Sequence, residues 1–406
     1  MSEQSSRSGR VVAGELDVHL IEFLTALAKA GYTESTQYSK ERLIAPFIRW
    51  VRRSAFTLAD LDDPSVDAFL ASSSCRGSDH RTALYQFVQH LRNVGAVAPR
   101  RSQRSSAEML VCRYIEHLRS KQGLSAHSIA VYSSFARAFV AAQRLPEDAA
   151  VLDRLAVGRY QLDDSRNRSV SFVRLLAAAL RSFLRFCFLD GITAADLSTA
   201  VHPIRRWQLA AIPQFLTADE VERVVAVPSA DRSTARGCRD FAILLLLARL
   251  GLRASEILAL DIDDIRWSVG EIVVRGKGRL HDRLPLPHDV GEALALYLSD
   301  GRGPSSSRRL FLRHVAPRVG LSQPSMVSKI AREALQRAGL LPSGRVGAHI
   351  FRHSLATRMI RGGASLAEIS QALRHRSTTT TQLYAKVELD GLRAVTLSWP
   401  SAEVTR

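Results

Sequence analysis

The sequence predicts a mainly α-helical protein whose last domain adds a small antiparallel sheet. Three observations carry this expectation. Apolar residues recur at helical spacing through the first two hundred positions, as in Phe172, Leu176, Leu180, Phe183 and Phe186. From Cys238 to Leu250 the chain is almost wholly apolar, as a buried core helix would be. One segment, EIVVRGKGRLHDRLPL from Glu271 to Leu286, alternates like a β-hairpin, with Gly276 and Gly278 flanking Lys277 near its tip.

The elements follow in order. Residues 1–104 form an N-terminal helical domain, 105–203 a second helical domain, 204–216 a linker and 217–406 the last domain. The first two domains read as copies of one unit. Ile21 and Ile115 lie 94 positions apart, as do Tyr38 and Tyr132. Leu84, Phe87 and Gly95 precede Leu180, Phe183 and Gly191 by 96. The alternative is that any two sets of amphipathic helices align this well. The last long helix of the second unit runs from Val170 to Leu189, and Gly191 stops it. Between the units PRRSQRSSAE is polar, basic and aperiodic, as a linker is. A further linker, roughly Val201 to Leu216, holds Pro203 and Pro213. Thr217 and Glu220 then fit a capping box, as do Ser365 and Glu368. Ala348 to Ile360 is helical and ends at Gly362-Gly363. A short helix should carry Tyr384.

Charge points to a polyanionic partner. The chain of 406 residues has net charge +17 and a pI near 10.5. The excess is uneven: +1 over residues 1–100, +7 over 101–210 and +9 over 211–406. Arg49, Arg52 and Arg53 form a local basic patch in the first unit. Cys75, Cys112, Cys187 and Cys238 are far apart, so no C-x-x-C metal or redox pair exists and a reducing cytoplasm suits the chain. MSEQSSRSGR has no apolar stretch of a secretory signal, and the run Phe241 to Ala248 is too short to span a bilayer. Asp261, Asp263 and Asp264 lack the glycine and terminal glutamate of a calcium loop, so no metal is expected. They read as the close of the short helix that follows Arg253.

Arg253, His349, Arg352, His375 and Tyr384 form an ordered set in the contexts GLRASEIL, HIFRH, LRHRS and TTQLYAKV. Two guanidiniums can hold the non-bridging oxygens of a phosphodiester and match the charge that grows on them. Imidazoles can donate hydrogen bonds or move protons, and a phenol oxygen can attack phosphorus. Arg253 follows a buried helix, so it should point inward, where an unpaired cation is costly. Glu256, three residues on, could orient it. His349 and Arg352 share a helix face, whereas His353 should face elsewhere as a core or supporting histidine. Each residue also has a bland reading: a surface arginine, a solvated turn lysine, a phosphate patch, a packing tyrosine.

The set resembles the tyrosine recombinase, or phage integrase, family. The family pattern is Arg, Lys in a β-turn, His-x-x-Arg, His or Trp, then Tyr. It maps onto Arg253, Lys277 in GKGRL, His349 and Arg352 in HIFR, His375 and Tyr384. The nine-residue spacing from His375 to Tyr384 agrees with the family. The resemblance is strong over about the last 200 residues, holds by layout over 107–203, and is weak before that. Arg374 departs from the pattern, since many members have Gly there.

The resemblance implies a SAM-like core-binding domain at 105–203 and an α+β tyrosine-recombinase catalytic domain at 217–406. It implies that Tyr384 makes a 3′-phosphotyrosyl link, that Arg253, Arg352, His349 and His375 stabilise the transition state, and that Lys277 protonates the leaving 5′-oxygen. Glu256 and His353 would support these residues. Arg205, Arg206, Arg279, Arg374 and Arg376 would contact DNA. The implied partners are double-stranded DNA recombination sites, gripped as a C-shaped clamp, with four protomers on two duplexes cutting through a Holliday junction. Accessory recombinases or directionality factors could join. No cofactor, metal, ATP or membrane is implied, and the expected location is the cytoplasm, with the nucleoid. The tail, with Leu389, Leu392, Val395 and Leu397, could dock on a neighbouring subunit. Two other classes stay open. A type IB topoisomerase shares the chemistry but does not pair two duplexes. A catalytically silent DNA-binding protein would keep only the fold.

Overall fold

The computed structural model describes residues 2–54, 56, 58, 61–73, 77–98, 105–147, 149, 152–204, 214–226, 233–276, 281–342 and 346–374, with side chains from residue 14 on. The chain divides into two compact units. One comprises residues 1–99 with 211–406, the other residues 100–210.

Among the described residues, 1–99 contribute α1 (Ser2–Lys29), α2 (Glu34–Arg53), α3 (Asp63–Ser72) and α4 (Ser78–Asn93). The Thr33 hydroxyl accepts the Thr36 N–H where α2 begins, and Asp62 with Ser65 forms a capping box for α3. Each cap supplies an acceptor to an otherwise orphan N–H and is worth about 1 kcal/mol. Phe23, Phe47, Phe69 and Phe87 fill the core, with the Phe47 and Phe69 rings edge-on at 5.4 Å. Elsewhere in the same unit the Ala30 carbonyl accepts the Arg318 N–H at 2.9 Å.

Residues 100–210 fold as α5 (Ser106–Ser120), α6 (Ala126–Ala142), α7 (Arg154–Ser165), α8 (Val170–Leu189) and a 3₁₀ turn at Leu197–Ala200. Tyr114, Phe139 and Phe183 centre the core, and the Tyr114 hydroxyl donates to Ser182 Oγ at 2.9 Å. Phe47 and Ile48 of α2 are buried, as are Phe139 and Val140 of α6, whereas Tyr38 is exposed.

The third core lies in residues 211–374. It is built by α9 (Ala218–Ala226), α10 (Ala235–Leu250), α11 (Ala254–Ala259), a three-stranded sheet, α12 (His288–Leu296), α13 (Pro324–Arg337) and α14 (His349–Arg361). A short α15 (Leu366–Ala372) packs Ile369 and Leu373 on Ala356 and Ile360 of α14. Both capping boxes read in the sequence are present: Thr217 with Glu220, and Ser365 with Glu368.

Helix α10 touches α9, α12, α13 and α14, so it is buried all round. Its first turns bury one ion pair inside that apolar surround. Arg239 Nη2 donates to Asp240 Oδ1 at 2.7 Å and Nη1 to the Leu312 carbonyl at 3.0 Å.

The sheet runs β1 (Ile265–Arg266), β2 (Glu271–Arg275), β3 (His281–Pro285) in that order, all antiparallel. Ile272 and Val274 are buried on one face of β2. Asp261 and Asp264 each hold Arg275, at 2.5 and 2.9 Å, and Asp263 pairs with Arg308. These carboxylates thus lock the turn between α11 and β1.

Candidate active site

Helix α10 ends at Gly251, which has φ +55. A Cβ there would lie 2.9 Å from Leu355 Cδ2 and 3.0 Å from Leu373 Cδ2. Only glycine fits both the left-handed backbone and the space. The reversal aims the Gly251 carbonyl at α14, and two residues later Arg253 caps α11.

The Arg253 N–H donates to Glu256 Oε2 at 2.8 Å, and its Nη1 donates to Oε1 at 2.5 Å. Arg253 Nη2 donates to the Arg374 carbonyl at 3.1 Å. Arg352, on α14, is buried. Its Nη1 donates to the Gly251 carbonyl at 2.7 Å and its Nη2 to the Leu373 carbonyl. So two guanidiniums, 99 positions apart in sequence, are gathered on carbonyls at the ends of α10 and α15. Those carbonyls are the orphan acceptors of a helix C-terminus, where cations are favoured.

Burial pushes the Glu256 carboxyl up, but Arg374 and Arg253 outweigh it and hold the group below the usual carboxylate range. It is therefore an anion at neutral pH. Arg374 Nη2 donates to Glu256 Oε2 at 3.0 Å, and Nη1 to the Ala372 carbonyl at 3.1 Å. Arg253 keeps about a third of its side chain exposed, at 32%, so its remaining N–H groups can meet an anion from solvent.

His349 opens α14. Burial of its ring, then Arg352 and Arg253, lower its pKa, with Glu256 opposing. His353 is half-buried, and burial, His349 and Arg352 bring its pKa down to about 4. Both imidazoles are neutral at pH 7. A neutral imidazole can accept a proton at one nitrogen while donating from the other.

Three expectations change. Arg253 does not point fully inward: Glu256 holds its Nη1 and the Arg374 carbonyl its Nη2, yet part of the side chain stays exposed. His353 does not face elsewhere. It lies one turn along from His349, with ring centroids 6.2 Å apart, as a spacing of four on a helix requires. Arg374, expected to contact DNA, instead folds back on Glu256 with its side chain 7% exposed. Lys277 and Arg279 fall in the connection after the Arg275–His281 pair of the hairpin, outside the described residues. His375, Arg376, Tyr384, Arg205 and Arg206 also lie outside them, as does the tail.

Sequence reasoning missed Gly251 and Ser354. Gly251 carried a signal, a glycine directly after an apolar helix. Ser354 carried none: its hydroxyl accepts the Leu216 N–H at 2.8 Å and donates to the Ile350 carbonyl at 2.8 Å.

A helical domain with a small antiparallel sheet and these gathered arginines has the fold of the tyrosine recombinases. Residues 214–389 match the phage integrase family. The chain is 38% identical over 399 residues to y4rA, a Sinorhizobium fredii protein named as an integrase/recombinase, covering 95% of each. It is 30% identical over 306 residues to tyrosine recombinase XerD of Mycobacterium tuberculosis, covering 70% of this chain and 94% of that one. Among solved structures, XerH site-specific recombinase bound to palindromic difH substrate, in a post-cleavage complex, matches with TM-score 0.53 at 18% identity. That match covers 73% of this chain and 97% of the other and speaks to the fold. The chain belongs to the phage integrase family of tyrosine recombinases.

Proposed function

We propose that the protein is a site-specific DNA recombinase that cuts and rejoins strands through Tyr384. One observation supports this most. Arg253 and Arg352 donate to the adjacent Arg374 and Leu373 carbonyls, immediately before His375 in the chain. A phosphodiester placed on the exposed part of Arg253 would meet that cationic pair.

In this reading the Tyr384 oxygen attacks phosphorus. The neutral His349 accepts the phenol proton, the P–O5′ bond breaks, and Lys277 gives a proton to the departing oxygen. Arg253, Arg352 and His375 stabilise the charge on the non-bridging oxygens. A 5′-hydroxyl of a partner strand then displaces the tyrosine. One phosphodiester is exchanged for another, so the reaction needs no ATP. Because the chain supplies nucleophile, cations and acid itself, it also needs no metal. Two exchanges on two duplexes, with four protomers, pass through a Holliday junction. The basic excess of residues 101–406 supports a DNA grip that weakens with salt.

The test uses a pool of nicked suicide duplexes with randomised half-sites, from which covalent complexes are captured and amplified. The wild-type chain should trap DNA, and Tyr384→Phe should bind the selected duplex but trap none. An adduct that persists in Tyr384→Phe would falsify the nucleophile. Cleavage abolished by EDTA and restored by magnesium would remove the metal-free mechanism. Capture without pairing of two duplexes would instead favour single-duplex topoisomerase chemistry.

A further inference from the structure

The Leu373–Arg374 turn holds a local contradiction. Arg374 has φ +54, a left-handed conformation that costs a side-chain-bearing residue energy and that glycine adopts freely. Its side chain is nonetheless almost fully buried, and among the described residues its Nε–H finds no acceptor. Two unfavourable local features in one residue ask for a compensating role.

The geometry points to that role. Resting on the strand-transfer reading above, we propose that Arg374 is a positioning residue that leaves the charge of Arg253 free for the scissile phosphate. Glu256 is buried and anionic, and it is bonded to Arg253 through Oε1 at 2.5 Å. Alone, that pair would cancel: the carboxylate would hold the arginine in place while neutralising the field it presents. Arg374 bonds the other oxygen, Oε2, at 3.0 Å. One anion is then shared by two cations, and the trio carries net +1. The backbone of the same residue completes the arrangement, since its carbonyl takes Arg253 Nη2 at 3.1 Å. Arg374 therefore fixes the far end of the guanidinium through its carbonyl and offsets Glu256 through its side chain. A glycine at this position would do only the first.

The experiment uses the full chain and a suicide duplex selected as above. Wild type, Arg374→Gly, Arg374→Lys, Glu256→Gln and the double variant Arg374→Gly/Glu256→Gln are compared. The readout is the single-turnover rate of adduct formation at saturating DNA, with Tm and duplex Kd measured in parallel. Glycine suits the left-handed backbone, so Arg374→Gly should keep its Tm. Its adduct rate should fall roughly tenfold or more, while Kd changes by less than about threefold. Arg374→Lys keeps the charge and should stay close to wild type, which covers the case in which glycine disturbs the turn. The decisive variant is the double one. Once Glu256 is neutral there is no anion to offset, so adding Glu256→Gln to Arg374→Gly should restore most of the lost rate. A residue that only filled space would show no such recovery. A wild-type rate in Arg374→Gly overturns the proposal, as does a double variant no faster than Arg374→Gly. A wild-type chain that traps no DNA overturns the strand-transfer reading itself and this proposal with it, an outcome visible before any Arg374 variant is made.

Discussion

Gly251→Ala tests how tightly the reversal after α10 is specified. Its φ of +55 costs an alanine about 1–2 kcal/mol. The new Cβ would meet Leu355 Cδ2 at 2.9 Å and Leu373 Cδ2 at 3.0 Å, overpacking that costs about 1–3 kcal/mol. Against this, alanine restricts the unfolded chain and returns about 0.4–1 kcal/mol. The losses win, leaving a net destabilisation of roughly 2–4 kcal/mol. For a domain of this size that lowers Tm by roughly 5–15 °C. Scanning calorimetry of the full chain, following the transition that contains α10, reads the shift. The clash is separable from the backbone strain. In a Leu355→Ala background, where one obstructing methyl is gone, the same Gly251→Ala change should cost less. An unaltered or raised Tm in Gly251→Ala would show that the turn is looser than its contacts imply.

Other expectations are open to measurement. His353 has a pKa of about 4 when folded against 6.5 ordinarily, so the unfolded chain takes up the proton first. Its contribution is complete above pH 6.5 and is lost as pH falls toward 4, by about 2 kcal/mol between pH 7 and pH 5. Urea titrations across that range should show the slope, and His353→Leu should flatten it; an equal slope in the variant would clear His353. Arg352→Ala strands the Gly251 and Leu373 carbonyls and should cost about 3 kcal/mol. Arg352→Lys should rescue little, because one ammonium lacks the planar fork that spans two carbonyls; full recovery with lysine would mean that charge alone matters there. Deleting residues 1–104 breaks the Arg318–Ala30 hydrogen bond but leaves the Phe183 and α10 cores whole. The truncated chain should still trap a suicide duplex yet fail to pair two duplexes. Loss of most half-site affinity with pairing intact would make the first helices a DNA clamp instead.

Much of the fold was legible where a side-chain pattern dictates it. Val170–Leu189 was readable to the residue because its apolar period runs unbroken between Ser169 and Asp190. The hairpin was readable from alternation, and the two capping boxes from single residue pairs. The Arg239–Asp240 pair was not, since neighbouring opposite charges usually mark a solvated face. At the site the sequence supplied the arginines and Glu256 but not what holds them together. The acceptors are backbone carbonyls of Gly251, Leu373 and Arg374, and a carbonyl has no letter in the sequence. Arg374 was misread for a related reason: an arginine beside a phosphate site looks like a ligand, and only the left-handed turn sends it inward.

The Leu216–Ser354 hydrogen bond ties the segment that leads into α9 to the helix that carries Arg352. The chain entering at Leu216 hangs from a hydroxyl on α14, and that hydroxyl in turn grips Ile350, one residue from His349 and two from Arg352. A change at Leu216 thus reaches the helix that carries the buried guanidinium through two hydrogen bonds.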